Sequence, residues 1–189
     1  MRIFLRTIVL AALVLGGYAL IGPYVKNILY AMRLAAMPAA LSVPVPVRGV
    51  APRALRDTWH GARGGGRKHE GIDIFAKRGT PVTSATEGIV MRVGSNRLGG
   101  QVVWVLGPGG QRHYYAHLDS YADIDNGQRV RAGTILGYVG TTGNAAGTPP
   151  HLHYGIYEAG GAINPYPLLR HPTLAGAAQP AGSGRKQAR

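Results

Sequence analysis

At 189 residues the chain holds one ordinary domain with appendages. It contains no cysteine, which excludes a disulfide scaffold, a thiolate zinc site and a cysteine nucleophile. Lys and Arg number 21 against 8 Asp and Glu, and the net charge of +13 draws the chain toward polyanions such as nucleic acid, anionic lipid headgroups or the carboxylate- and phosphate-rich polymers of a bacterial wall.

Arg2 and Arg6 precede an uncharged run from Thr7 to Gly22, and Pro23 follows. The run approaches the ~20 residues that span a bilayer and is also near the upper limit of a signal-peptide core, so residues 1–23 are expected as a membrane anchor or signal sequence. An uncleaved anchor is favoured because no small-x-small site closely follows the run; the alternative is secretion after cleavage. Val25, Ile28, Leu29 and Met32 then recur at i, i+3, i+4 and i+7, the pattern of a short amphipathic helix. Ser42 to Pro52 is Pro-rich and cannot continue a helix, so residues 24–52 read as helix plus extended linker. The main domain is expected over 53–170. The composition of 171–189 offers almost nothing large to bury and predicts a disordered basic tail.

Within the main domain, 29 glycines and 13 prolines in the chain with little helical periodicity after residue 50 predict short strands joined by tight turns, an all-β core. Five side chains there have the composition of a catalytic zinc site: His69 and Asp73 in H-E-G-I-D, His117 in Y-Y-A-H-L, and His151 and His153 in H-L-H. On a strand, His151 and His153 project to one face while Leu152 and Tyr154 point to the core. Gly71 and the β-branched Ile72 and Ile74 argue that His69 and Asp73 sit on a loop entering a strand, from which both can reach one ion. Two imidazoles and a carboxylate suit zinc among the first-row divalent metals. His113, two pleat repeats from His117, is equally eligible on local grounds, whereas His60 and His171 read as structural or solvent-exposed.

The ordered series H-E-G-I-D-I, G-T-P-V, Y-Y-A-H-L, G-x-x-V-x-A-G-x-x-L-G-Y-V-G-x-T-G and P-H-L-H, over about residues 57–168, resembles the LytM or lysostaphin-type zinc metallopeptidases of the M23 family. That resemblance implies one zinc ion held by His69, Asp73 and His153, with His117 and His151 as catalytic imidazoles, and so selects His117 over His113. It implies peptide-bond hydrolysis in peptidoglycan. The glycine spacing also resembles small barrel-like sandwiches, so the expected fold is a compact barrel-like antiparallel β-sandwich behind an N-terminal membrane helix. A carrier-domain function is excluded, since no lysine lies between Lys77 and Lys186. One departure concerns the aromatic that relatives place before the first ligand; here the segment is D-T-W-H-G-A-R-G-G-G-R-K-H, where Trp59, His60, Arg63 or Arg67 is the candidate for that wall or for an oxyanion donor.

The expected function is a membrane-anchored, exported zinc endopeptidase cutting stem or cross-link peptides, located in the bacterial envelope. The alternative is a noncatalytic wall-binding or regulatory module that activates another hydrolase. Nucleic acid is not an expected partner, because the aromatic-and-basic arrays of single-strand binding are missing. A protein regulator is left open.

Overall fold

The computed structural model describes residues 2–170, with backbone alone for residues 2, 3, 5 and 7–14 of the first helix. The basic tail at 171–189 lies outside the described residues, and of the expected membrane segment much is described by backbone alone. Among the described residues, no helix is long and apolar enough to cross a membrane.

A single helix α1, Arg2–Ala36, runs through Pro23 into the amphipathic stretch. Its last turns dock on the domain. Asn27 Nδ2 donates to the Gly127 carbonyl at 2.9 Å, Arg129 Nη2 to the Lys26 carbonyl at 2.6 Å, and the Arg129 guanidinium lies 4.5 Å above the Tyr30 ring. Leu34 is fully buried, whereas Val25, Ile28, Leu29 and Met32 remain exposed. The Pro-rich segment after α1 is extended but packed: Val43 and Val47 are buried in the main core, and Val47 bridges Val82.

Nine strands follow: β1 Ile72–Phe75, β2 Pro81–Thr83, β3 Gly88–Asn96, β4 Gly100–Leu106, β5 Arg112–Tyr121, β6 Arg129–Val130, β7 Ile135–Val139, β8 His151–Glu158 and β9 Gly161–Ile163; the short helix α2, Tyr166–Arg170, ends the domain. All pairs are antiparallel in one sheet of order β1-β8-β5-β4-β3-β6, with β7 joining β5 and β2, and β9 joining β8. The barrel-like closure expected from the glycine pattern is therefore corrected: the sheet is open, and its end strands β1 and β6 do not pair with each other. The reason lies in β5, whose first half pairs β8 while its second half pairs β7, so the ladder branches instead of returning on itself.

Alternation along the central strands separates two faces. Val103, Val105, Tyr115, Leu118, Leu152, Tyr154 and Ile156 face the large core, where each is essentially inaccessible. Val102, Tyr114 and Ala116 face the other way and form a smaller cluster with Trp104 and Tyr157. That second face carries the site.

Candidate metal centre and cleft

The sheet register brings two of the candidate ligands opposite each other. Asp73 on β1 is the direct cross-strand partner of His153 on β8, and His153 in turn pairs Ala116 on β5, whose methyl leaves room for the imidazole above it. His69 arrives from a hairpin that precedes β1. His60 N–H donates to the His69 carbonyl at 2.9 Å, His69 N–H to the Gly61 carbonyl at 3.0 Å and Arg63 N–H to the Arg67 carbonyl at 2.9 Å, with Gly64, Gly65 and Gly66 at the tip. Gly65 and Gly66 have φ of 75° and 72°, a conformation glycine adopts without steric cost. A second glycine, Gly71, is required by space: a β-carbon there would lie 2.6 Å from the Tyr154 carbonyl oxygen and 2.7 Å from the His153 ring.

Three donor atoms converge. His69 Nε2 stands 2.7 Å from His153 Nδ1, and Asp73 Oδ1 lies 3.1 Å from the first and 3.3 Å from the second. These three residues form a cluster able to hold a metal ion. The His69 Nδ1–H donates to the Thr58 carbonyl at 2.7 Å, which leaves the Nε2 lone pair facing the cluster. Two imidazole nitrogens and a carboxylate oxygen that point at one another repel unless a cation or a shared proton lies between them, and a nitrogen–nitrogen–oxygen set fits zinc. The second Asp73 oxygen accepts a hydrogen bond from Arg63, and Thr58 Oγ1 accepts the Asp73 N–H at 3.0 Å. Burial disfavours the Asp73 charge, but the His153 and His69 imidazoles beside it outweigh that and hold the carboxyl well below the usual range.

His117 and His151 flank this cluster. Their rings are 5.1 Å apart, His117 is 5.9 Å from the His153 ring, and His151 Nε2 lies 3.9 Å from Asp73 Oδ1. Each donates its Nδ1–H to a backbone carbonyl, His117 to Thr142 and His151 to Pro149, both at 2.8 Å, so in the neutral ring the free lone pair is on Nε2. Burial, reinforced by His153, brings His117 down to about 4, which keeps it a neutral base near pH 7. His117 has φ of 64°, uncommon for a non-glycine residue, at a bulge where Val103 pairs Tyr115 but Gln101 pairs Leu118. The extra residue turns His117 onto the Ala116 face. His113, which has no bulge to turn it, lies on the core face, fully buried against the Tyr154 hydroxyl at 2.7 Å.

Sequence reasoning missed the three carbonyls that orient the rings, and the aromatic wall formed by Trp104, Tyr114 and Tyr157, which lines the cleft beside the histidines. The available signal was the glycine pairing around Thr142. A β-carbon on Gly100 would meet the Thr142 carbonyl carbon at 2.3 Å, so Gly100 and Gly143 allow the backbones to touch and bring the Thr142 carbonyl to His117. The cleft encloses about 580 Å³ and also takes in Arg63 and Arg67. Trp59 and His60 stack on each other at 4.5 Å and do not line it.

An antiparallel sheet carrying a His–Asp–His cluster and two further imidazoles in an open cleft defines a metallohydrolase-type site. The chain belongs to peptidase family M23, whose model matches residues 67–165. Among its relatives, the L-Ala–D-Glu endopeptidase of Bacillus subtilis is 43% identical over 139 residues, covering 67% of this chain and 42% of that protein. The DD-carboxypeptidase/endopeptidase Mpg of Neisseria meningitidis is 35% identical over 122 residues, covering 64% and 27%. The chain thus spans less than half the length of these curated relatives. Of solved structures, the catalytic domain of lysostaphin from Staphylococcus simulans superposes with a TM-score of 0.56 at 29% identity, covering 64% of this chain and 96% of that one. A putative glycyl-glycine endopeptidase LytM from Ruminococcus gnavus gives 0.56 at 37% identity, covering 72% and 61%.

Proposed function

We propose that this protein is a zinc endopeptidase that hydrolyses peptide bonds in the stem or cross-link peptides of peptidoglycan, held at the bacterial envelope by its N-terminal helix. The observation that carries this reading is the placement of two imidazoles, each held through Nδ1 by a backbone carbonyl, beside the His69–Asp73–His153 donor set. Zinc bound by those three residues supplies Lewis acidity toward a water and a substrate carbonyl. His117 Nε2 accepts the proton of the attacking water, and its Thr142 hydrogen bond stabilises the resulting imidazolium. His151, fixed through Nδ1 by the Pro149 carbonyl, is the second imidazole; its Nε2 donates to the developing oxyanion or to the leaving amine only when that nitrogen carries a proton. Arg63 holds the outer oxygen of Asp73, which orients the carboxylate toward the other two ligands.

The membrane part of the proposal is supported by the uncharged run Thr7–Gly22, which is continuous in one helix with the docked turns at Asn27 and Tyr30. The likeness to the Bacillus L-Ala–D-Glu endopeptidase and the Neisseria DD-carboxypeptidase/endopeptidase supports a peptide substrate. The test is mass spectrometry of soluble products after zinc-loaded chain is incubated with peptidoglycan, beside a His117→Ala variant. New peptide fragments made only by the unmodified chain are expected; their absence from a folded, zinc-containing protein would overturn the proposal.

A further inference from the structure

The cleft walls differ in charge. One wall is the hairpin that ends in His69 and contributes Arg63, Arg67 and Lys68, whereas the opposite wall presents the uncharged Asn96, Asn144 and Thr148. Two acids share the lining, and both are engaged elsewhere. Asp73 belongs to the donor cluster and to Arg63. Glu70 lies beside the Tyr157 hydroxyl, whose ionisation burial and the Glu70 charge push up to about 12. No ion pair joins Arg67 or Lys68 to a carboxylate among the described residues; the Arg67 Nε donates only to the Gly64 carbonyl at 3.2 Å.

Two uncompensated cations at the edge of a catalytic cleft attract an anion. Their backbone positions are not loose. The Ala62–Lys68 bridge and the Arg63–Arg67 and His69–Gly61 hydrogen bonds tie the hairpin together, so both side chains leave a ladder that also fixes His69. We propose that Arg67 and Lys68 form a carboxylate subsite, so that this cleft selects peptides bearing a free carboxylate close to the scissile bond and discriminates against uncharged, glycine-type bridges. This rests on the peptidase reading of the site. A guanidinium can grip a carboxylate with two parallel hydrogen bonds, and the lysine adds a point charge beside it. On the facing wall Asn96 and Thr148 are engaged within the chain, which leaves the Asn144 amide to meet the backbone of an extended peptide.

The test compares two synthetic stem peptides, one with its carboxylates free and one with every carboxylate converted to a primary amide, on the zinc-loaded full chain. The acid peptide is expected to be cleaved with a kcat/KM about tenfold higher, the scale of one charge-assisted hydrogen bond at a partly exposed site. The preference should shrink as salt rises. In the Arg67→Gln/Lys68→Gln variant the ratio should fall toward one, with the loss mostly in KM, while Arg67→Lys/Lys68→Arg keeps most of it. Zinc content and thermal unfolding of each variant separate a lost subsite from a lost fold. Equal cleavage of acid and amide by the unmodified chain overturns the subsite and leaves the peptidase reading intact, as does an undiminished preference in the glutamine variant. If neither peptide is cut by zinc-loaded chain, and peptidoglycan is not cut either, the peptidase reading fails and the subsite falls with it.

Discussion

His113 and His117 lie four residues apart on β5 and face opposite sides of the sheet: His113 is sealed in the core against Tyr154, and His117 stands in the cleft beside His151. In an unbroken strand both would share a face. The single-residue bulge before Leu118, with His117 at positive φ, separates them. Steric strain of this kind is kept where the surroundings over-determine it, here through the Gly99 carbonyl that accepts the His117 N–H at 2.8 Å and the Thr142 carbonyl on its ring.

His117→Ala is therefore expected to leave the metal in place while turnover falls by about two orders of magnitude, the usual scale for losing one general base. Metal analysis and single-turnover kinetics on the same preparation check this. Full turnover in a zinc-loaded variant would show that another group takes the proton.

His69→Ala, Asp73→Ala and His153→Ala should each lower zinc occupancy and activity together, because each removes one donor of a three-residue set. Equilibrium dialysis against a zinc chelator gives the affinity. A variant that binds zinc as tightly as the native chain would remove that residue from the ligand set.

Gly71→Ala probes the packing behind the ligands. The added methyl would press on the Tyr154 carbonyl and the His153 imidazole, so β1 or the ring must move. An overpacking cost of about 1–3 kcal/mol is expected, with zinc affinity lowered by tenfold or more through displacement of His153. Denaturant unfolding and zinc titration measure the two effects separately.

His113 predicts an acid limb in stability. Burial brings it down to about 4 from an ordinary value of 6.5, so the folded protein keeps it neutral. Between those values the unfolded chain binds the extra proton; the contribution is complete above pH 6.5 and is lost as pH falls toward 4. The loss between pH 7 and pH 5 amounts to about 2 kcal/mol. His113→Gln, which retains an amide beside the Tyr154 hydroxyl but cannot protonate there, should show a correspondingly smaller drop in denaturant stability over that interval. Equal drops in the two proteins would contradict the assignment.

Deleting residues 2–22 should move the protein from the membrane pellet to the supernatant on cell fractionation, and leave hydrolysis of small soluble peptides unchanged, because the docking contacts begin at Lys26 and Asn27. Persistence in the pellet after a high-salt wash would place the membrane affinity in the exposed stripe of Val25, Ile28, Leu29 and Met32.

Much of the site was legible because its residue types have few other uses together. The i, i+2 spacing of His151 and His153 puts two rings on one face of any strand, and β8 places them so. The order of the short motifs pointed to the family that matches residues 67–165. The bulge was not legible: nothing in R-H-Y-Y-A-H-L marks an extra residue, since its causes are the close approach of Gly100 to Gly143 and the carbonyl contacts that follow. Sheet closure is not legible for a related reason. Glycine spacing reports turns and close approaches, and it does not report that β5 changes partners midway. The valines of the Pro-rich segment read as linker because proline excludes a helix, yet Val43 and Val47 alternate toward the core as an edge segment does.

His69, His117 and His151 are all steered by main-chain oxygens, those of Thr58, Thr142 and Pro149. Every amino acid carries that oxygen. The tautomers on which the proposed proton transfer depends thus follow from the path of three loops, and the hydroxyls at 58 and 142 help hold two of those paths, Thr58 Oγ1 by accepting the Asp73 N–H and Thr142 Oγ1 by accepting the Gln101 N–H and donating to the Leu118 carbonyl. Insertions or deletions in these loops are the changes expected to abolish the proposed activity while leaving His69, Asp73, His117, His151 and His153 in place.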